Sequence, residues 1–211
     1  MSQLYVPLDC ETGGLDPKTS DLLTLYISVI DDNFQILEEL DLKLKPDNDR
    51  LPVTEAGAMK VNGIDLQKHL ADPSTLTYSE AKEKISTMLK KHRLPGRYSN
   101  LIPLGHNIPF DLNFISHHIM RKDEWEKFCH YRNIDTNPII WLLKDSGWFP
   151  RDLGNLGSVV DFLNLPKRNA HSAKDDTLMT VDVYKKLLEI MKSKKESSGS
   201  TQDLISLLEA E

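Results

Sequence analysis

Asp9 and Glu11 stand two residues apart in LYVPLDCETGGL, at the end of a short apolar run, Leu4 to Leu8, that reads as a buried strand. A strand sends residues i and i+2 to one face, so the two carboxylates project together. Neighbouring carboxylates in a poorly solvated place resist ionising together unless a cation neutralises them, so the chemistry on offer is the holding of a hard divalent ion. The plainer alternative is a polar strand exit that caps the Gly13-Gly14 turn, and a D-x-E pattern alone does not choose between them. Asp111 is a second acidic candidate. In GHNIPFDLNFI it falls in the first turn of a helix expected from Phe110 to Met120, on the stripe of Phe114, Ile115 and His118. The helix dipole favours an acid in the first turn, but it does not explain why that acid should face the core side. The third candidate lies in HSAKDDTLMT, the opening of a helix expected from His171 to Met191. At ~100° per residue Asp176 joins Thr180, Val183, Leu187 and Met191, whereas Asp175 falls with Asp182 and Lys186 and points outward. His171, at the start of that helix, can reach the same place as Asp176. The histidines at 69, 92, 106, 117, 118 and 130 mostly read as structural.

These residues need elements to position them. Leu4 to Leu8, Leu22 to Ile30 and Ile36 to Leu44 read as three strands joined by short connections, with Asp31-Asp32-Asn33 as a turn, and so as an antiparallel meander. Past Pro52 the pattern is helical or irregular as far as Asp72. Tyr78 to Lys91 then carries Ala81, Ile85, Met88 and Leu89 at helical spacing. Leu101 to Leu104 is a further short strand entering the Asp111 helix, and Gly154 to Leu163 is another helix. Strands first and helices later, with a strand-to-helix step near residue 105, predict an α/β domain around a mixed sheet.

Composition bounds the rest. The chain has 211 residues, 39% hydrophobic and 27% charged, which suits one ordinary globular domain. SKKESSGST, from Ser193, has a linker composition, so residues 1–192 form the expected domain and 193–211 a linker and short tail. No apolar run approaches the ~18 to 20 residues of a membrane span, and MSQLYVPLDCETGG has no secretory pattern, so a cytoplasmic location and no membrane partner are expected. Cys10 and Cys129 are too few for a disulfide framework and read as reduced thiols. With 26 basic and 32 acidic residues the net charge is −6, which argues against a broad, sequence-independent grip on long nucleic acid.

Taken together, Asp9-x-Glu11 with Thr12-Gly13-Gly14-Leu15, His106-Asn107-x-x-Phe110-Asp111, and His171-x-Ala173-x-x-Asp176 resemble the three motifs of the DEDDh family of 3′-to-5′ exonucleases. That family includes polymerase proofreading subunits, ribonuclease T, oligoribonuclease and the three-prime repair exonucleases. Three motifs in the right order are far more specific than any one of them. AGAMKVNGI (Ala56 to Ile64) and Asp135-Thr136 look like secondary blocks of the same family, and Thr177 departs from it where alanine is usual. The resemblance implies a ribonuclease H-like mixed five-stranded sheet flanked by helices. It implies Asp9, Glu11, Asp111 and Asp176 as ligands of two Mg²⁺ or Mn²⁺ ions, with His171 as general base. Thr12, Gly13, Gly14, Leu15, Met59, Ile64, Asn107 and Phe110 become candidate substrate contacts, although core packing explains Leu15, Met59 and Phe110 equally well. Two bound divalent ions carry four positive charges and would take the formal charge from −6 to −2.

The implied activity is hydrolysis from the 3′ end of single-stranded nucleic acid, DNA slightly ahead of RNA, with nucleoside 5′-monophosphate as product. The alternatives are a 3′-to-5′ exoribonuclease of short RNA, a non-catalytic nucleic-acid-binding or scaffold module of the same fold, and a metal-dependent endonuclease. Lys90-Lys91, Arg93 and Arg97, or Lys167-Arg168, are candidates for a basic rim. A homodimer is a candidate assembly. The tail from Gln202 to Leu208 faintly resembles a clamp-binding peptide and is a candidate contact for a polymerase or sliding clamp.

Overall fold

The computed structural model describes residues 3–48, 50–96, 98–168 and 172–197. In chain order the elements are β1 (Leu4–Thr12), β2 (Leu22–Ile30), β3 (Ile36–Lys45), α1 (Ala56–Asn62), α2 (Leu66–Ala71), β4 (Leu76–Thr77) and α3 (Tyr78–His92). They continue with β5 (Leu101–Gly105), α4 (Ile108–His118), α5 (Lys122–Trp125), β6 (Ile134–Asp135), α6 (Thr136–Asp145), α7 (Leu156–Phe162) and α8 (Ala173–Ser197). The meander is as expected: β2 pairs antiparallel with both β1 and β3, and β5 and β6 add in parallel on the other side of β1. The sheet has six strands in the order β4-β3-β2-β1-β5-β6, not five. The surplus comes from β4 and β6, two-residue edge pieces too short to carry a period in the sequence.

Alternation along β1 sorts its side chains between two helical layers. Val6, Leu8 and Cys10 enter the core beneath α3 and α4 with Ile85, Leu89, Phe114 and Ile115. Tyr5 goes to the other face, where its ring stacks on Phe34 at 5.7 Å and meets Tyr184 of α8 edge-on at 5.9 Å. Asp9 and Glu11 share the Tyr5 face by strand periodicity. The aromatic trio therefore pins α8 across the sheet, with its N-terminal turns over the C-terminal end of β1. Thr180, Val183 and Leu187 are buried as their spacing predicts, but Met191 is 56% exposed. Along α8 it lies ~10 Å beyond Tyr184, at 1.5 Å per residue, and takes no part in the buried stripe.

Two sequence boundaries shift. β1 runs on through the acidic pair to Thr12, and α8 continues past Lys192 to Ser197. The segment between α4 and α7, which lacks a clear period, contains α5, β6 and α6. Among the described residues no helix is long and apolar enough to cross a membrane. His171, Arg97 and the tail from Gln202 to Leu208 lie outside the described residues.

Candidate active site

The acidic residues converge because β1 outruns its neighbour. β5 pairs with β1 only as far as Pro7 with Leu104, and the chain then turns at Gly105 into α4. The edge of β1 beyond Pro7 is closed not by a strand but by Asp111, whose Oδ1 accepts the Cys10 backbone N–H and the Cys10 thiol, each at 3.0 Å. Asp111 is 3% exposed, in the first turn of α4 as its position predicts. Asp9, Glu11 and Asp176 lie on the α8 side, each half-buried, with one carboxylate oxygen apiece within 4.8 Å of the others. Asp175 remains outside this group.

The electrostatics show what the cluster lacks. Burial first, then the charges of Asp111, Asp176 and Glu11, push the Asp9 carboxyl well above its ordinary value. Burial, then Asp176 and Asp111, raise Glu11 to about 7. Burial also raises Asp111 to about 7, against the lowering effect of the Cys10 donors. Among the described residues, the influences that shift Asp9 and Glu11 are burial and the neighbouring carboxylates. A group of oxygen-only donors in this state binds either protons or a hard cation of the Mg²⁺ or Mn²⁺ type. The Asp9, Glu11 and Asp176 set fits such an ion, with Asp111 adjoining it at the strand edge.

The turn after the cluster is held from behind. Gly13 N–H donates to Asp21 O at 2.7 Å, Glu55 N–H donates to Gly13 O at 2.6 Å, and the Asn62 amide donates to Thr12 O at 3.1 Å. Side chains at Gly13 and Gly14 are excluded by this packing: a Cβ would come within 2.4 Å of Val53 O at the first and 2.2 Å of Ser20 Oγ at the second. The glycines therefore serve the protein's own close packing, and Gly13 N–H is engaged internally. Thr12 Oγ1 likewise donates to Gly14 O at 2.6 Å, whereas Leu15 at the tip is 81% exposed.

Of the other candidate contacts, Met59 and Ile64 are half-buried in and after α1. Phe110 packs against the main core, with its ring 5.0 Å from Phe114. Asn107 is exposed at φ 63°, in the left-handed region, and donates its N–H to Asp135 Oδ1 at 2.8 Å. His106 Nδ1 lies 2.9 Å from Thr136 Oγ1, so the Asp135-Thr136 block fixes the turn leading to Asp111. Thr177 is harmless where it departs from alanine: its hydroxyl donates to Ala173 O within α8.

Three of the basic candidates are held in ion pairs. Lys91 and His92 pair with Glu38, whose partner in the sheet is Val29, at the end of the meander away from Glu11. Lys167 and Arg168 pair with Asp161 and Asp182. Sequence reasoning also missed Asp21. Its carboxylate is 1% exposed and accepts from the Arg50 guanidinium at 2.5 and 2.8 Å, Val53 N–H at 2.6 Å and the Tyr78 hydroxyl at 3.1 Å. Nothing in TSDLL distinguishes such an anchor from an ordinary strand entry.

Comparison with known proteins places this geometry. The RNase_T family model, described as an exonuclease, matches residues 6–184. An oligoribonuclease of Rhodococcus jostii is 26% identical over 214 residues, covering 99% of this chain and 98% of its own length. A PolC-type DNA polymerase III of Thermotoga petrophila is 29% identical over 191 residues, 89% of this chain but 12% of that protein. Among solved structures, E. coli Exonuclease I in complex with a dT13 oligonucleotide superposes with a TM-score of 0.69 at 20% identity. It covers 92% of this chain and 43% of its own, so the chain spans less than half of that protein.

Proposed function

The chain belongs to the RNase_T family of 3′-to-5′ exonucleases, and from that premise we propose that Asp9, Glu11, Asp111 and Asp176 hold two Mg²⁺ or Mn²⁺ ions for hydrolysis of single strands from the 3′ end. The observation that carries this reading is the convergence of Asp9, Glu11 and Asp176 oxygens within 4.8 Å, where burial and the neighbouring carboxylates raise Asp9 and Glu11. When bound, such ions stabilise charge on phosphoryl oxygens and lower the pKa of a bound water. The protein's own groups do the rest. The Cys10 donors fix Asp111 through Oδ1, which holds its carboxylate at the strand edge beside the other three. The Gly13-Gly14 turn, braced by Asp21 and Glu55, presents Leu15 as the wedge against the terminal base, with Met59 and Ile64 alongside. A ring nitrogen of His171 takes the proton from the attacking water. The water oxygen bonds to phosphorus, the bond to the 3′ oxygen breaks, that oxygen takes a proton from solvent to become the new 3′-hydroxyl, and a nucleoside 5′-monophosphate leaves.

Single-stranded DNA is the first substrate reading. Short RNA is the second, favoured by the match to an oligoribonuclease over 98% of that protein's length. The polar groups that would distinguish a 2′-hydroxyl are one or two local hydrogen bonds, so the direct test is degradation of matched DNA, RNA and dinucleotide substrates in Mg²⁺. Preference for RNA by more than ten-fold would overturn the DNA reading. A circular strand should stay intact; its cleavage would indicate an endonuclease. For the tail, a chain ending at Lys192 that bound clamp or polymerase as well as the full chain would end that partner reading.

A further inference from the structure

A second concentration of chemistry lies on the flank of the acidic cleft. Between α6 and the segment from Arg151 to Asn155 there is a cavity of about 170 Å³, lined among others by His106, Trp141, Lys144 and Arg151. Lys144, 6% exposed, is the one buried cation among the described residues. Its ammonium donates to Leu153 O at 2.7 Å and sits 4.0 Å from the centre of the Trp141 ring. Lys43, Arg50, Lys82, Lys91 and Lys174 all pair with carboxylates. Among the described residues neither Lys144 nor Arg151 does so, and Asp152 on the rim is exposed. Burying an ammonium without a counter-charge is unfavourable, and a ligand anion would relieve it. Trp141 remains 56% exposed, so a flat ring stands beside a fixed cation. Single-strand recognition needs that combination: a ring on which a base stacks and a cation for the backbone phosphate.

The cavity begins next to the cluster. His106 follows Gly105, the last residue of β5, and Leu104 pairs with Pro7, just short of Asp9. Thr136 at the start of α6 donates to Gly105 O at 3.2 Å, and Ile140 and Leu143 pack with Met179, one turn beyond Asp176. From strand spacing and helix rise, the Trp141 and Lys144 end lies on the order of 10–15 Å from the acidic cluster, a reach of a few nucleotides.

We propose that this cavity is a subsite for the single strand upstream of the scissile bond, with Trp141 stacking a base and Lys144 and Arg151 contacting a phosphodiester. The assignment rests on the exonuclease reading for its direction along the strand. Trp141→Ala and Arg151→Ala change exposed side chains, so both variants should fold. Anisotropy of 5′-fluorescein-labelled dT10 and dT2 with the full chain in Ca²⁺ reads binding, and shortening in Mg²⁺ reads turnover. Each variant should weaken dT10 binding about ten-fold more than dT2 binding. For Arg151→Ala the slope of log affinity against log salt should become shallower by about 0.7, one phosphate contact fewer. Equal effects on both lengths, or none on either, overturn the subsite. So does a loss of binding to an acidic peptide with dT10 binding intact, which would assign the cavity to a protein partner. A wild-type chain that shortens neither strand removes the catalytic reading, and the anisotropy contrast still decides the subsite.

Discussion

Asp21 and Asp111 are both almost fully buried, at 1% and 3% exposure, yet their proton affinities move in opposite directions. Burial raises both. At Asp21 the Arg50 guanidinium, the Val53 N–H and the Tyr78 hydroxyl together outweigh burial, and the pKa falls below its ordinary value. At Asp111 the two Cys10 donors do not outweigh it, and the pKa rises to about 7. Asp9 and Glu11 follow Asp111. Asp21 is set apart by the Arg50 guanidinium beside it. The Asp21 brace is complete within the fold, whereas among the described residues Asp9 and Glu11 are shifted by burial and by neighbouring carboxylates.

The largest expected effect breaks the cluster. Asp9→Asn or Asp176→Asn should lower strand shortening by about 10³-fold or more, since each removes a ligand to charge worth several kcal/mol in the transition state. The metal-free melting temperature of Asp9→Asn should hold or rise, because one like charge is gone; a sharp fall would mean that Asp9 is a structural anchor after all. Next, Mn²⁺ at 100 times its dissociation constant should stabilise the wild type by about 2.7 kcal/mol, and Asp9→Asn should lose most of that gain in a thermal melt. Asp21→Asn is expected to act oppositely. It should destabilise by about 2 kcal/mol, a value reduced because the Arg50 partner is 43% exposed, with no dependence on metal.

The same contrast predicts opposite pH limbs. Glu11 and Asp111 have raised folded-state values of about 7, so without metal their contribution is present at low pH and is lost as the pH rises through about 7. Asp21 has a lowered value, so its contribution is present above the ordinary aspartate range and is lost as the pH falls through the folded-state value. Melting temperature against pH in a chelator should show both limbs, with Glu11→Gln flattening the neutral one and Asp21→Asn the acidic one. The smallest effect belongs to Cys10. Cys10→Ser keeps a donor to Asp111 and should retain activity and Mn²⁺ affinity within a few-fold, whereas Cys10→Val should lose several-fold in both. Equal behaviour would show that the thiol does not hold Asp111.

Much of this architecture was legible in the sequence where period and motif coincide. Leu22 to Ile30 matches β2, and Tyr78 to Lys91 matches α3 to within one residue, because both carry strong apolar patterns. Asp176 was separable from Asp175 by helical phase alone. The closure of the β1 edge by Asp111 was not legible, since it depends on β5 stopping short of β1. Asp21 and its long-range partners Arg50, Val53 and Tyr78 gave no local signal either. The ion pairs of Lys91, Lys167 and Arg168 were not legible for a related reason: their acidic partners meet them only once the chain folds.

The central claim is that the acidic cluster is a metal-dependent 3′ exonuclease centre. It is tested most directly by a 5′-labelled single strand incubated with the wild type and Asp9→Asn, with and without millimolar Mg²⁺. The account predicts a ladder receding from the 3′ end with release of nucleoside 5′-monophosphates, in the wild type with metal only. No shortening in Mg²⁺ or Mn²⁺, or equal shortening by Asp9→Asn, would contradict it.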